Sequence, residues 1–168
     1  MPGIIVIGSS NTDMVIKTQK LPAPGETILG GTFLMNPGGK GANQAVAAAR
    51  LGGKVTFITK RGNDLFGNQA VGLLMREGID TQYIIKDPDL PSGVALITVD
   101  SAGENIIVVA PGSNGNLLQE DIPESVFGSG NFDAACRKHK LTPRAKSAME
   151  KIASGARSVG PKPMTRKL

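Results

Sequence analysis

The sequence predicts an α/β fold in which a parallel sheet carries helices and is joined by antiparallel excursions. Three observations predict it. Short apolar runs at 3–9 (GIIVIGS), 54–59 (KVTFIT) and 83–86 (YIIK) alternate with segments of helical period at 42–50 and 65–77. Strands that alternate with helices belong to parallel sheets, because the helices supply the crossovers. A further pair of apolar runs, GVALITV (93–99) and NIIVVA (105–110), flanks DSAGE (100–104), a loop of hairpin length with a glycine.

GIIVIGS is a buried strand, apolar without interruption and closed by Gly and Ser. DMVIKT (13–18) is a second strand, and LPAPGE (21–26) is a turn. TILGGTFLM (27–35) is extended, with a bend at Gly30 and Gly31. After Gly41, the residues Ala42, Ala45, Val46 and Ala49 recur at helical spacing, and Gly52 and Gly53 stop that helix. RGNDLFG (61–67) is a polar loop. Leu65, Val71, Leu74 and Met75 mark a helix over 65–77 that Gly78 caps. LLQEDIPESVF (117–127) predicts a short helix, and FGSGN (127–131) a flexible junction. Residues 144–157 carry a thin apolar face at helical spacing, and 160–168 has the composition of a disordered end. There is no internal repeat.

With 168 residues, 40% of them hydrophobic, the chain can build one sizeable core. No apolar run approaches the ~20 residues of a membrane span. The start, MPGIIVIGSS, has no basic region and is not a signal peptide. Cys136 is the single cysteine, so no internal disulfide forms and a cytoplasmic location is expected. The net charge of +5 is unevenly spread. Residues 137–168 hold ten Lys/Arg and one acid, Glu150, while residues 1–136 hold nine basic and thirteen acidic residues. Such a division marks either a nucleic-acid tail or a segment foreign to the fold.

The stretch NPGGKGANQAVAAARLG (36–52) puts glycines before a plain helix. It is not a phosphate loop of the G-x-x-x-x-G-K-[ST] kind, since Gly41 stands at the Ser/Thr position and Leu34 at the first Gly. GSSNTD after the first strand is not a dinucleotide fingerprint either. What remains is a helix N-terminus with free N–H groups and little side chain in the way. Asn43, in the first turn, can donate and accept. Asn11 and Asp13 lie just past the first strand, where α/β folds bind ligands. A carboxylate there can accept from two adjacent hydroxyls of a sugar. Asn11 and Asp13 can equally close a turn, and GGKGAN can equally be a helix cap.

GSSNTD (8–13), LPAPGET (21–27), GGKGANQAVAAARLG (38–52), GNDLFG (62–67), SGVALITVD (92–100) and GENIIVVAPGSN (103–114) occur together in this order. In these the chain resembles the ribokinase branch of the PfkB-type carbohydrate kinase family, from about Ile4 to about residue 127. The resemblance implies a doubly wound parallel sheet with a β-sheet lid, of which this chain carries the N-terminal part. It implies ATP-dependent phosphorylation of D-ribose to ribose 5-phosphate, with Mg²⁺ and a monovalent cation as activator, in a cytoplasmic homodimer joined through the lid. Carried over by position, Asn11 and Asp13 hold sugar hydroxyls, and Gly39, Lys40 and Asn43 contact the sugar from the glycine stretch. Segments 13–18, 27–35, 93–99 and 105–110 form the lid.

The resemblance divides the chain into a sugar-binding half with lid strands, 1–128, and a basic tail atypical of the family and poorly ordered, 129–168. The family's late Gly-Ala-Gly-Asp, whose aspartate is the general base, does not occur in the sequence, nor does its Asn-x-x-Glu segment near Mg²⁺. The expectation is a truncated or frame-shifted, catalytically incomplete kinase with no catalytic residue of its own and no binding residues for ATP or Mg²⁺. A non-catalytic sugar-binding or dimerisation module is the alternative. Nucleic-acid binding through the tail is disfavoured, because 137–168 has no aromatic residue for base stacking. His139 in this tail has no partner at ligand spacing.

Overall fold

β1 (Gly3–Ile7) buries both of its faces, and one sheet is organised around it. This computed structural model describes residues 3–123, 126 and 132–136. β1 lies between β4 (Lys54–Gly62) and β8 (Phe132–Cys136), and β5 (Ile84–Asp87) pairs with the far side of β4. All of these pairings are parallel. The strands are apolar without alternation because the sheet is covered twice. On one face Val6, Val55 and Phe57 pack with Ala42 and Ala45 of α1 (Lys40–Arg50) and Leu74 of α2 (Leu65–Arg76). On the other, Ile5, Ile7 and Ile58 pack with Leu117 and Val126. The fold class read from the sequence, an α/β protein with a parallel sheet, is the one observed.

The second sheet has the order β3 (Thr32–Gly38), β2 (Asn11–Lys17), β6 (Gly93–Val99), β7 (Asn105–Ala110). β2 and β6 are parallel, and the two outer strands are antiparallel to them. Unlike the first sheet, it exposes apolar side chains. Met35 and Leu96 beside Met14, and Val108 beyond, share one face by register, as do Phe33, Ile16 and Ile106. The opposite face carries Asp13, Leu34 and Ile107.

Both helices stop in the same way. In α1, Gly53 N–H donates to Ala48 O and Gly52 N–H to Ala49 O, each at 2.9 Å. In α2, Ile79 N–H donates to Leu74 O at 3.2 Å and Gly78 N–H to Met75 O at 3.0 Å. Each pair is a Schellman closure, and in α2 it brings Ile79 against Leu74 in the core.

Four expectations need correction. The third strand starts at Thr32, not residue 27, because Gly30 and Gly31 adopt φ of 94° and 112° and interrupt the ladder with β2. β4 runs on to Gly62 through Lys60 and Arg61, whose charges disguised it as a loop. Both side chains are buried, and Lys60 is held by Asp121. The helix predicted over 117–127 is replaced, as far as it is described, by a 3-10 turn at Gln119–Asp121, which follows another at Gly112–Asn116. There the Asp121 carboxylate binds Leu118 N–H at 2.8 Å as well as Lys60, which ties the segment to β4 instead of to itself. Within the segment expected to be a poorly ordered tail, Phe132–Cys136 is a strand, because FDAAC satisfies the backbone edge of β1. The helical reading of 144–157, the disordered end at 160–168 and the remaining tail lie outside the described residues.

Phe57 is fully buried between the sheet and the helices. Phe57→Ala should therefore lower the unfolding free energy by about 3–5 kcal/mol, read as a fall in the urea midpoint at unchanged slope.

Candidate functional site

The chain leaves the first sheet at Ile7 and enters the second at Asn11, so residues 8–10 bridge the two sheets. The N-terminus of α1 rests on this bridge. Ala42 N–H donates to Ser9 O at 3.1 Å. A Cβ on Gly41 would lie 2.7 Å from the backbone of Gly8, and one on Gly39 would lie 2.6 Å from Ser9 O and 2.8 Å from Asn11 N. Gly39 also has φ of 95°, a conformation that side chains disfavour. The glycines of 36–52 thus let one backbone lie against another. Around that contact the N–H groups of Lys40 and Gly41 have no acceptor among the described residues.

Asn11 and Asp13 are two residues apart on β2 and project to the same side. Asp13 is half-buried and makes no hydrogen bond among the described residues. Burial pushes its carboxyl above the usual carboxylate value. It lies over Gly38, where any Cβ would fall on the carboxylate itself. Asn11 Oδ1 accepts from Asn114 Nδ2 at 2.8 Å. Gly39 sits directly against the Ser10–Asn11 backbone. The side chains of Lys40 and Asn43 are exposed and bond to neither Asn11 nor Asp13.

The arrangement offers a free carboxylate, an amide and unpaired helix N–H groups within one bend of the chain. That is a mixture of donors and acceptors suited to a polyhydroxylated ligand. Among the described residues no three His, Cys, Asp or Glu side chains gather in a way that could hold a metal ion. No helix among them is long and apolar enough to cross a membrane.

Residues that sequence reasoning left out hold the site in place. Asp64 caps α2 by accepting from Gly67 N–H at 2.8 Å, and it also accepts from Ser92 N–H and the Ser92 hydroxyl, each at 2.7 Å. Ser92 Oγ in turn accepts from Gly62 N–H at 3.0 Å. Burial pushes the Asp64 carboxyl up, but these bonds and the Arg61 charge outweigh it and hold it below its usual value. Asp87 is held low by the Asn116 amide and by the N–H groups of Asp89 and Leu90. The sequence signals for Asp64 were an aspartate just before the first residue of α2 and its place in GNDLFG.

The folded state lowers Asp64 and Asp87, so the unfolded chain binds more protons at acidic pH. Their stabilisation is complete above the unfolded carboxylate pKa of about 4 and is lost as pH falls through the lower folded values. Asp13 acts in the opposite direction. A urea series between about pH 6 and pH 2.5 should show the midpoint falling with acid, and falling less steeply in Asp64→Asn.

Residues 1–158 match the pfkB family carbohydrate kinase. The chain is 44% identical over 122 residues to the ribokinase of Mus musculus, covering 73% of this chain and 38% of that protein. It is likewise 44% identical over 119 residues to a deoxyribokinase of Salmonella typhi, covering 71% and 39%. Among solved structures, ribokinase from Giardia lamblia superposes with a TM-score of 0.78 at 29% identity, over 91% of this chain and 47% of that one. Arabidopsis thaliana ribokinase complexed with ribose and ATP superposes with a TM-score of 0.61 at 34% identity, over 67% and 37%. The chain spans about two fifths of the length of the curated relatives it matches.

Proposed function

The chain belongs to the pfkB family of carbohydrate kinases, and from that premise we propose that it is the sugar-binding and lid portion of a ribokinase-type kinase. The whole reaction in this reading is transfer of the ATP γ-phosphoryl group to the 5-hydroxyl of D-ribose. Asp13 accepts hydrogen bonds from sugar hydroxyls, Asn11 engages a neighbouring hydroxyl, and Gly39, Lys40 and Asn43 contact the sugar from the start of α1. The observation that carries the reading is the Asp13 carboxylate: half-buried, without a partner among the described residues, and seated over a glycine. A half-buried carboxylate without a partner has given up part of its hydration, which the hydroxyls of a ligand would replace. Its neighbours, the unpaired N–H groups of Lys40 and Gly41, supply donors of the opposite kind. The base-bearing Gly-Ala-Gly-Asp segment of such kinases does not occur in these 168 residues, so their part is to bind and enclose the sugar. The similarity to a deoxyribokinase makes 2-deoxyribose the competing substrate.

Calorimetry with ribose and with 2-deoxyribose tests this. Asp13→Asn keeps the shape and removes the charged acceptor, and should weaken sugar binding by about 1.5–3 kcal/mol, roughly 10- to 150-fold. Sugar hydroxyls favour the ionised carboxylate, so wild-type affinity should fall as pH drops through the raised Asp13 value, while the variant stays flat. Equal affinity in the two proteins would remove Asp13 from the site.

The lid supports a homodimer. Phe33, Met35, Leu96 and Val108 are exposed on one face of a sheet whose outer strands, β3 and β7, have open edges among the described residues. A contiguous apolar surface of this kind on a sheet marks a contact with another chain. Sedimentation should find a dimer, and Leu96→Lys should shift it to monomer with the helical circular dichroism unchanged.

A further inference from the structure

We infer that Asn114 is a positioning residue, which turns the Asn11 amide so that its NH₂ group and not its oxygen is offered beside Asp13. The inference rests on the proposed sugar site and adds to it the direction of one hydrogen bond. It follows from the backbone around Asn114. Ser10 N–H can only donate, and the carbonyls of Ser10 and Pro111 can only accept. The Asn114 amide faces all three: Oδ1 accepts from Ser10 N–H at 2.9 Å, and Nδ2, whose two hydrogens are shared among three acceptors, lies 3.0 Å from Ser10 O and 3.1 Å from Pro111 O. These groups leave one orientation for the Asn114 amide. Its Nδ2 also lies 2.8 Å from the Asn11 side chain, so the Asn11 atom there must be the acceptor, Oδ1.

Asn11 Nδ2 is then left without an acceptor among the described residues, on the same side of β2 as the Asp13 carboxylate. A hydroxyl has one hydrogen and two lone pairs. Between these two side chains it can donate to Asp13 and accept from Asn11, and both bonds are satisfied. With Asn11 reversed, two acceptors would compete for one hydrogen. Gly93 belongs to the same device. It is the register partner of Asn11 on β6, and a Cβ there would overlap both Asn114 Nδ2 and Asn11 Oδ1.

Asn114→Asp keeps an acceptor for Ser10 N–H and removes the donor to Asn11, so the Asn11 amide should reverse. Two readouts follow on the 168-residue chain. In ¹H–¹⁵N spectra without sugar, the Asn11 side-chain NH₂ signals should move in the variant. In calorimetry, ribose affinity should fall about tenfold, and the preference for ribose over its singly deoxygenated analogues should shrink by about the same factor. Unmoved Asn11 signals together with unchanged affinity and preference overturn the inference. If the wild-type chain takes up no sugar, displaced Asn11 signals still support the positioning role while the sugar reading fails, and unmoved signals overturn the role. If the variant does not fold, hydrogen exchange in the wild type decides: Asn114 NH₂ should exchange at least about tenfold more slowly than the exposed Asn43 NH₂, and equal rates overturn the role.

Discussion

Two stretches of backbone touch where α1 begins, and the relation between the two sheets depends on that contact. Gly41 lies against Gly8, and Gly39 lies against Ser9, Ser10 and Asn11. A methyl group at either glycine would push the helix off the bridge between the sheets. With the helix in place, its first N–H groups, the carboxylate on β2 and the turn after β7 all face one bend. The plain alanines that follow serve the same end, since Ala42 and Ala45 let the helix sit close to β1 and β4.

The two sheets solve opposite problems. β1 and β4 are covered on both faces, and their side chains are apolar on both. The lid sheet is built from equally apolar strands, yet β3 up to Pro37 and all of β7 remain exposed. Strands of the same composition therefore mean two different things. In the first sheet burial within the chain explains them, and in the second they lie on an exposed face among the described residues.

Polar groups at the ends of β4 and β5 do quieter work. Lys60 reaches Asp121, with 3.0 Å to each carboxylate oxygen, and Asn116 O at 3.2 Å. Asn116 donates to Asp87 at 2.7 Å. Ser113 donates to Lys60 O at 3.0 Å. These bonds hold the 3-10 turns against the sheet and so fix the height of Asn114 above Ser10. A buried network of this kind stabilises the fold only when its members are satisfied. Its influence on the site runs through backbone position.

The sequence by itself determined the α/β class, the order of the elements as far as β7, the approximate place of the four lid segments and the likeness to sugar kinases. Periodicity, turn residues and contiguous motifs are local, and a reader of the chain sees them directly. Asn11 and Asp13 could be picked out as candidates for the same reason, being two residues apart just past a strand. Only the tertiary structure decided that Lys60 and Arg61 continue a strand, that 112–121 is held as 3-10 turns, and that Asn114 lies beside Asn11. Each of these depends on a partner far along the chain, such as Asp121 for Lys60, 61 residues away, or Asn114 for Ser10, 104 residues away. No spacing rule encodes such pairings, because the hydrogen bonds that define them exist only after the sheets have formed.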